Sequence, residues 1–321
     1  CYPPPMTPYE YAIARHYTYH LFGRLYLEGI SADLLSQLSA IPELADAAGD
    51  IDLDQAAADH YQITAVSVFP HESIFLDPSG LLGGSVCDLV SEVYGQNQFE
   101  VLSDIDHIGH ELLFLSHLCV AEAQALSQGN GAEGASWHSR QQTFLTTHLL
   151  TWLAPLVAAI EQADSEFYGR LANLTLDLVA DHLAQTADGP SAAFLPEFPP
   201  LATADSSLKE IARRLTTPPF CGIFLSRDAI SALARRHNMP RGFGDRVQML
   251  SNLLRTAGQY DSAAAVFADL SELFAAWNEI YQRQQEAFPH LSPWLRPWQD
   301  RTSHTMESLA EAAALVSTNQ D

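Results

Sequence analysis

Apolar residues recur at spacings of three and four along most of the chain, and alternating runs rich in Val, Ile and Thr are scarce. The pattern predicts an all-α protein. In "YAIARHYTYHLFGRLYLEG" the residues Tyr11, Ala14, Tyr17, Leu21 and Leu25 form one stripe, the buried face expected of an amphipathic helix. "SADLLSQLSAIPEL" opens on a Ser cap, and "GGSVCDLVSEVYG" reads as a further helix ended by Gly95. "SRQQTFLTTHLLTWLAPLVAAIEQA" and "SEFYGRLANLTLDLVADHLAQT" are two long helical segments joined by a short break, which favours antiparallel neighbours in a bundle.

Residues 62–84 interrupt this pattern. Pro70, Pro78, Gly80, Gly83 and Gly84 predict a loop, while Val66, Val68, Phe69, Ile74, Phe75 and Leu76 predict that it packs on the bundle. The Pro-rich stretch 187–207 has no helical period and reads as a linker. It divides the chain into an N-terminal helical domain, 1–186, and a C-terminal extension, 208–321, whose helices are expected to pack on the bundle. That extension includes a Ser-capped helix followed by a Pro–Gly turn and a second helix, the long segment 262–288, and a proline-broken aromatic turn before a last helix. No repeat or low-complexity tract is visible, and no run of 18 apolar residues predicts a membrane span.

Charge sharpens this division. The chain has 321 residues and a formal net charge of −23. Residues 1–200 hold only four basic residues, Arg15, Arg24, Arg140 and Arg170, against 26 Asp and Glu, whereas residues 201–321 hold 12 against 13. So acidic a domain repels nucleic acid and favours cationic partners; solubility, or adaptation to salt in a chain whose one lysine is Lys209, accounts for the same charge. The four cysteines, Cys1, Cys87, Cys119 and Cys221, form no CxxC pair, which points to free thiols in a reducing compartment. Cys1 reads as a trimmed start rather than a lipid-bearing residue, and the first twenty residues lack the charged and apolar regions of a secretory signal.

The densest candidate chemistry is "SDIDHIGHELLFLSHL", residues 103–118, with three histidines and three carboxylates. Ser103 and Asp106 are spaced as in a capping box, which predicts a helix starting there with Asp104 and Asp106 in its first turn. On that helix Ile105, Ile108, Leu112 and Leu115 face the core. His107 and Glu111 are neighbours, and His110 and His117 lie on another face. A metal centre would need ligands from a second helix, and neither a paired Glu-x-x-His helix nor an HExxH motif is present. No GxSxG elbow or phosphate loop points to nucleophilic or nucleotide chemistry.

Taken together, "FPHESIFLDPSGLLGGS" (69–85), Tyr94-Gly95 and "DIDHIGHELLFLSHL" resemble the TorD/DmsD/NarJ-type family of redox-enzyme maturation proteins. The match falls on Pro70, Ser73, Ile74, Phe75, Leu76 and Asp77, and then on Asp106, His107, Glu111, Leu112 and Phe114. "FYGRLANLTLDLV", after a long helix bearing Trp152, resembles the family's later helices. The resemblance spans about residues 9–185. It implies a TorD-like helical bundle, here with additional C-terminal helices, acting without catalytic turnover or cofactor of its own in the cytoplasm. Its partner would be an apo molybdopterin oxidoreductase and that enzyme's twin-arginine leader peptide, held until cofactor insertion and then released for export. Homodimers, some with exchanged helices, occur among such proteins, and the resemblance leaves guanine nucleotide binding open. The client-binding residues it implies are Pro70, His71, Glu72, Ser73, Phe75, Leu76, Asp77, Asp106, His107 and Glu111. One departure is His71, where some members carry a tryptophan.

The chemistry of such a leader, two arginines beside an apolar stretch, calls for carboxylates next to apolar walls, and Glu72 and Asp106 are the arginine acceptors this suggests. Two other classes remain: a permanent helical subunit of a redox complex, and a metal-dependent helical enzyme using His107, His110 and Glu111. Two arginine pairs in the extension, Arg213-Arg214 and Arg235-Arg236, either face solvent or compete with a client for the acidic domain.

Overall fold

The computed structural model describes residues 6–183, 194–198, 200–201 and 206–318. Cys1 and most of the linker 187–207 lie outside them. Among the described residues there are helices and no strand. In chain order these are α1 (Pro8–Glu28), α2 (Ala32–Leu38), α3 (Pro42–Ala48), α4 (Leu53–Tyr61), α5 (Glu72–Leu76), α6 (Gly84–Gln96), α7 (Ile108–Ser127), α8 (Gly131–Phe144), α9 (Leu150–Glu161) and α10 (Glu166–Leu183). Beyond the linker come α11 (Leu208–Thr216), α12 (Pro218–Cys221), α13 (Arg227–Arg236), α14 (Arg246–Gln259), α15 (Ala263–Ala287) and α16 (Ser292–Thr318).

Helix α9 is the axis of the molecule. Every residue from Leu150 to Ile160 is buried, as befits a helix that is apolar all round. By length and composition the continuous stretch Gly131–Glu161 would cross a membrane, yet 83% of its most apolar window is buried inside this fold. Helix α10 packs on one side of α9, while α15 and α16 pack on another. Pro155 sits within α9 and has no N–H, so the carbonyl of Thr151 loses its usual helical donor. Trp298 of α16 supplies one instead, its Nε1–H donating to Thr151 O at 2.9 Å. Trp294 donates similarly to Thr146 O, at 3.1 Å, in the π-turn Leu145–Leu149 that joins α8 to α9. The extension therefore closes the hydrogen bonding of the central helix as well as covering it.

The second tight junction is between α1 and α7. Gly23 and Gly109 face each other so closely that a Cβ on Gly23 would lie 2.8 Å from Gly109 O, and one on Gly109 would lie 2.7 Å from Gly23 O. The face that α1 buries is shifted from the stripe expected. Ala12, Arg15, Tyr19, Phe22 and Tyr26 are buried together with Leu21 and Leu25, whereas Tyr11, Ala14 and Tyr17 are exposed. Tyr19 and Tyr26 can go inward because their hydroxyls find partners there, His182 Nδ1 at 2.9 Å and Thr175 Oγ1 at 3.3 Å.

Several boundaries also differ from expectation. Residues 62–84 are not simply a loop: Gln62–Ser67 forms a π-turn and Glu72–Leu76 a short helix. Helix α6 passes through Gly95 to Gln96. The proline-broken turn before the last helix is absent, because α16 absorbs Pro297 and is held by its two flanking tryptophans. Ser226 does cap α13, accepting from Ala229 N–H.

Candidate functional site

The two segments singled out by sequence, 70–77 and 106–111, meet at one place. Glu72 N–H donates to Asp106 O at 2.9 Å, Ile108 N–H donates to Pro70 O at 2.9 Å, and Ser73 N–H donates to Asp106 Oδ2 at 2.8 Å. His71 and His107 face each other across this pairing, their rings edge to face with centroids 4.9 Å apart. Helix α7 begins at Ile108, not at Ser103. His107 is its N-cap, with Nδ1 accepting from Gly109 N–H at 3.1 Å. The expected capping box does not form because Asp106 is committed elsewhere: its carboxylate serves the free N-terminal amide of α5, acting as a cap supplied across the chain. Ser73 Oγ in turn accepts from Gly83 N–H at 3.0 Å, which ties in the turn before α6.

Nearly all these residues are interior. Pro70, His71, Glu72, Ser73, Phe75, Asp77, Asp106, His107 and Glu111 are buried, and Leu76 is half-buried. Phe75 packs between Trp152 of α9 and Phe224 of the extension, with centroids 5.5 and 5.6 Å away. Burial pushes the imidazoles of His71 and His107 below the usual histidine range, His107 strongly so, and they are neutral at pH 7. Among the described residues no three His, Cys, Asp or Glu side chains converge to hold a metal ion, and His107 Nδ1 is already engaged.

Beneath this seam lies a buried pair of carboxyl groups. Glu72 and Glu111 lie close enough that each carboxyl acts on the other's ionisation. His148 Nδ1 lies 3.2 Å from both Glu72 oxygens, and Trp152 Nε1–H donates to Glu111 Oε2 at 3.3 Å. Burial, reinforced by the charges of Glu72 and Asp106, drives the Glu111 carboxyl well above its ordinary range; burial also raises Glu72, and His148 opposes that rise. Two carboxyl groups enclosed together resist carrying two charges, so the pair favours keeping a proton. Sequence reasoning missed His148 and Trp152 as partners, since neither spacing nor motif links residues 76 and 41 positions apart.

What faces solvent is the rim. Leu81 (66% exposed), Leu82 (54%), Leu89 (57%) and Leu102 (100%) stand on the turn before α6, on α6 and on the approach to α7. The exposed carboxylates Asp88, Glu92 and Asp104 accompany them, Asp104 lying 3.6 Å from His71. From Leu25 to Ser139 the sequence contains no Lys or Arg. The extension reaches this area too: Arg213 Nη2–H donates to Ser79 O at 3.5 Å. Arg214 bonds to the carbonyls of Pro200 and Leu201, and Arg236 pairs with Asp269 at 3.1 Å, within the extension itself. Among the described residues none of Arg213, Arg214, Arg235 and Arg236 forms an ion pair with a carboxylate of the acidic domain.

Comparison with known proteins agrees with this geometry. Residues 32–158 match the family described as "Nitrate reductase delta subunit". The chain is 30% identical over 118 residues to the chaperone protein TorD of Vibrio cholerae, covering 35% of this chain and 52% of that protein. It is 32% identical over 148 residues to TorD of a Shewanella species, covering 41% of this chain and 64% of the relative. The matches thus span between half and two thirds of those relatives, and no solved structure matches. Residues 32–158, which carry the stitched motif, are thus similar to the nitrate reductase delta subunit family and to TorD chaperones.

Proposed function

We propose that this protein is a cytoplasmic maturation chaperone, without catalytic turnover, for an apo molybdopterin oxidoreductase, which it holds by the twin-arginine leader until the cofactor is inserted. The observation that carries this reading is the rim: four exposed leucines beside exposed carboxylates, in a stretch of chain with no cationic side chain. Exposed leucines among exposed carboxylates suit a partner that offers an arginine pair flanked by apolar residues. In this reading Leu76 and Asp77 border the client, and the buried Pro70, His71, Glu72, Ser73, Phe75, Asp106, His107 and Glu111 hold the rim in shape from beneath. Glu72 and Asp106, enclosed as they are, give way to Asp88, Glu92 and Asp104 as arginine acceptors.

The test is calorimetric titration with synthetic twin-arginine leaders of the molybdopterin oxidoreductases from the same organism. Wild type is expected to bind, and a Leu89→Ser/Leu102→Ser variant is expected to bind at least about tenfold more weakly with unchanged thermal unfolding. Equal binding by the two proteins would remove the rim from the site, and no binding by wild type would reject leader recognition. The description of the matching family as a subunit favours a second reading, a permanent component of a redox complex. Stable one-to-one copurification with the mature enzyme would support that reading, and loss of the protein on maturation would support the chaperone.

A further inference from the structure

Behind the carboxyl pair, on the face formed by α6 and α8, lies a cleft of about 330 Å³. Its composition is unlike the surrounding surface. Arg140 and His148 line it and no carboxylate does, in a domain, residues 1–186, where acids outnumber bases 24 to four. The Arg140 guanidinium is held but not neutralised: Nη1–H donates to Asn97 Oδ1 at 2.9 Å, the group lies 4.4 Å from the Trp137 ring, and it forms no ion pair among the described residues. A cation fixed in place without a countercharge is preorganised for an anion.

His148 supplies the second observation. The residue is only 8% exposed, its Nδ1 is turned inward to Glu72, and its ring forms part of the cleft wall, which leaves Nε2 as the ring nitrogen without a protein partner among the described residues. Stacking on Phe144, with centroids 5.0 Å apart and planes 24° apart, fixes that orientation. With a proton on it, Nε2 is a donor available to a ligand in the cleft. The hydroxyls of Thr143 and Thr147 already donate to helix carbonyls, so they mark the wall without competing for the ligand's negative charge. Phe144 and Val93 contribute apolar surface.

We propose that this cleft binds a small molecule bearing a carboxylate or phosphate group, with Arg140 as the fixed cationic donor and His148 Nε2 as the second contact. The volume suits a compact ligand, being at the small end of known ligand sites. The acidity of the domain does not forbid it, because distant charges are screened beyond about 8 Å at physiological ionic strength. The site is separate from the leucine rim and stands or falls independently of leader binding.

Thermal unfolding of the full chain tests it, with inorganic phosphate and acetate each titrated against chloride at equal ionic strength. Wild type is expected to show a saturable rise in Tm with phosphate, acetate or both, the response identifying the group recognised. Arg140 is exposed, so Arg140→Gln should fold normally and weaken the apparent affinity about tenfold, the scale of one charge-assisted hydrogen bond. Arg140→Lys, which keeps the charge but loses the forked geometry, should fall between. General salting effects do not saturate and would be the same in all three proteins. No rise beyond chloride in wild type, or identical titrations for wild type and Arg140→Gln, would overturn the proposal.

Discussion

Glu111 and Asp106 show how much depends on single carboxyl groups here. Glu111 holds its proton in the folded state to a higher pH than in the unfolded chain, so its contribution to stability falls as pH rises above the unfolded value of about 4.3. Glu111→Gln keeps an acceptor for Trp152 and has no proton to lose. The variant is expected to gain stability relative to wild type between pH 5 and pH 8, measured by urea unfolding at each pH; a difference independent of pH would contradict the raised Glu111 carboxyl. Asp106→Ala removes the acceptor of the buried Ser73 N–H and should cost about 1–3 kcal/mol in the same measurement, with Asp106→Asn costing less. Both residues were visible in the sequence through family resemblance. Their burial was not, because it comes from backbone pairing between Pro70–Ser73 and Asp106–Ile108, more than thirty positions apart, which no local pattern encodes.

At the scale of elements, two junctions rest on what is missing from a side chain or backbone. Pro155 leaves Thr151 O without a helical donor, and Trp298 fills the role. Trp298→Phe should destabilise the protein, and the loss should be smaller in a Pro155→Ala background, where the restored amide can serve Thr151 O. A double-mutant cycle in urea reads that coupling, and strict additivity would show that the indole contributes packing alone. Gly109→Ala forces a methyl against the Gly23 carbonyl and Leu27, with an expected cost of about 1–3 kcal/mol in thermal unfolding. Long helices with clear three-four spacing, such as α7, α10 and α15, were legible in the sequence. The phase of α1 was not, because Arg15 and the tyrosines count as polar or ambiguous until their buried partners are known. The absorbed Pro297 escaped for a similar reason: the tryptophans beside it on α16 donate to carbonyls far away in sequence, Thr146 O and Thr151 O, and outweigh a local helix breaker.

Across the whole molecule, the acidic bundle and the near-neutral extension are distinct in charge but joined in packing. Phe224 covers Phe75, Gln284 Nε2–H donates to Ala154 O at 3.4 Å, and α15 and α16 lie along α9. Truncation before Leu208 is therefore expected to yield a loosened protein that binds the dye ANS and loses near-ultraviolet circular dichroism; a cooperative, native-like unfolding transition for residues 1–207 would refute this. The same absence of lysine and arginine that makes the rim receptive to a cationic client has a practical corollary. Trypsin cuts only after those two residues, so the chain from Leu25 to Arg140, rim included, survives digestion as one fragment. Within residues 25–139 the protein offers trypsin no bond of its own, so the rate at which the protease severs an added leader after its arginines would report docking with no label on either partner.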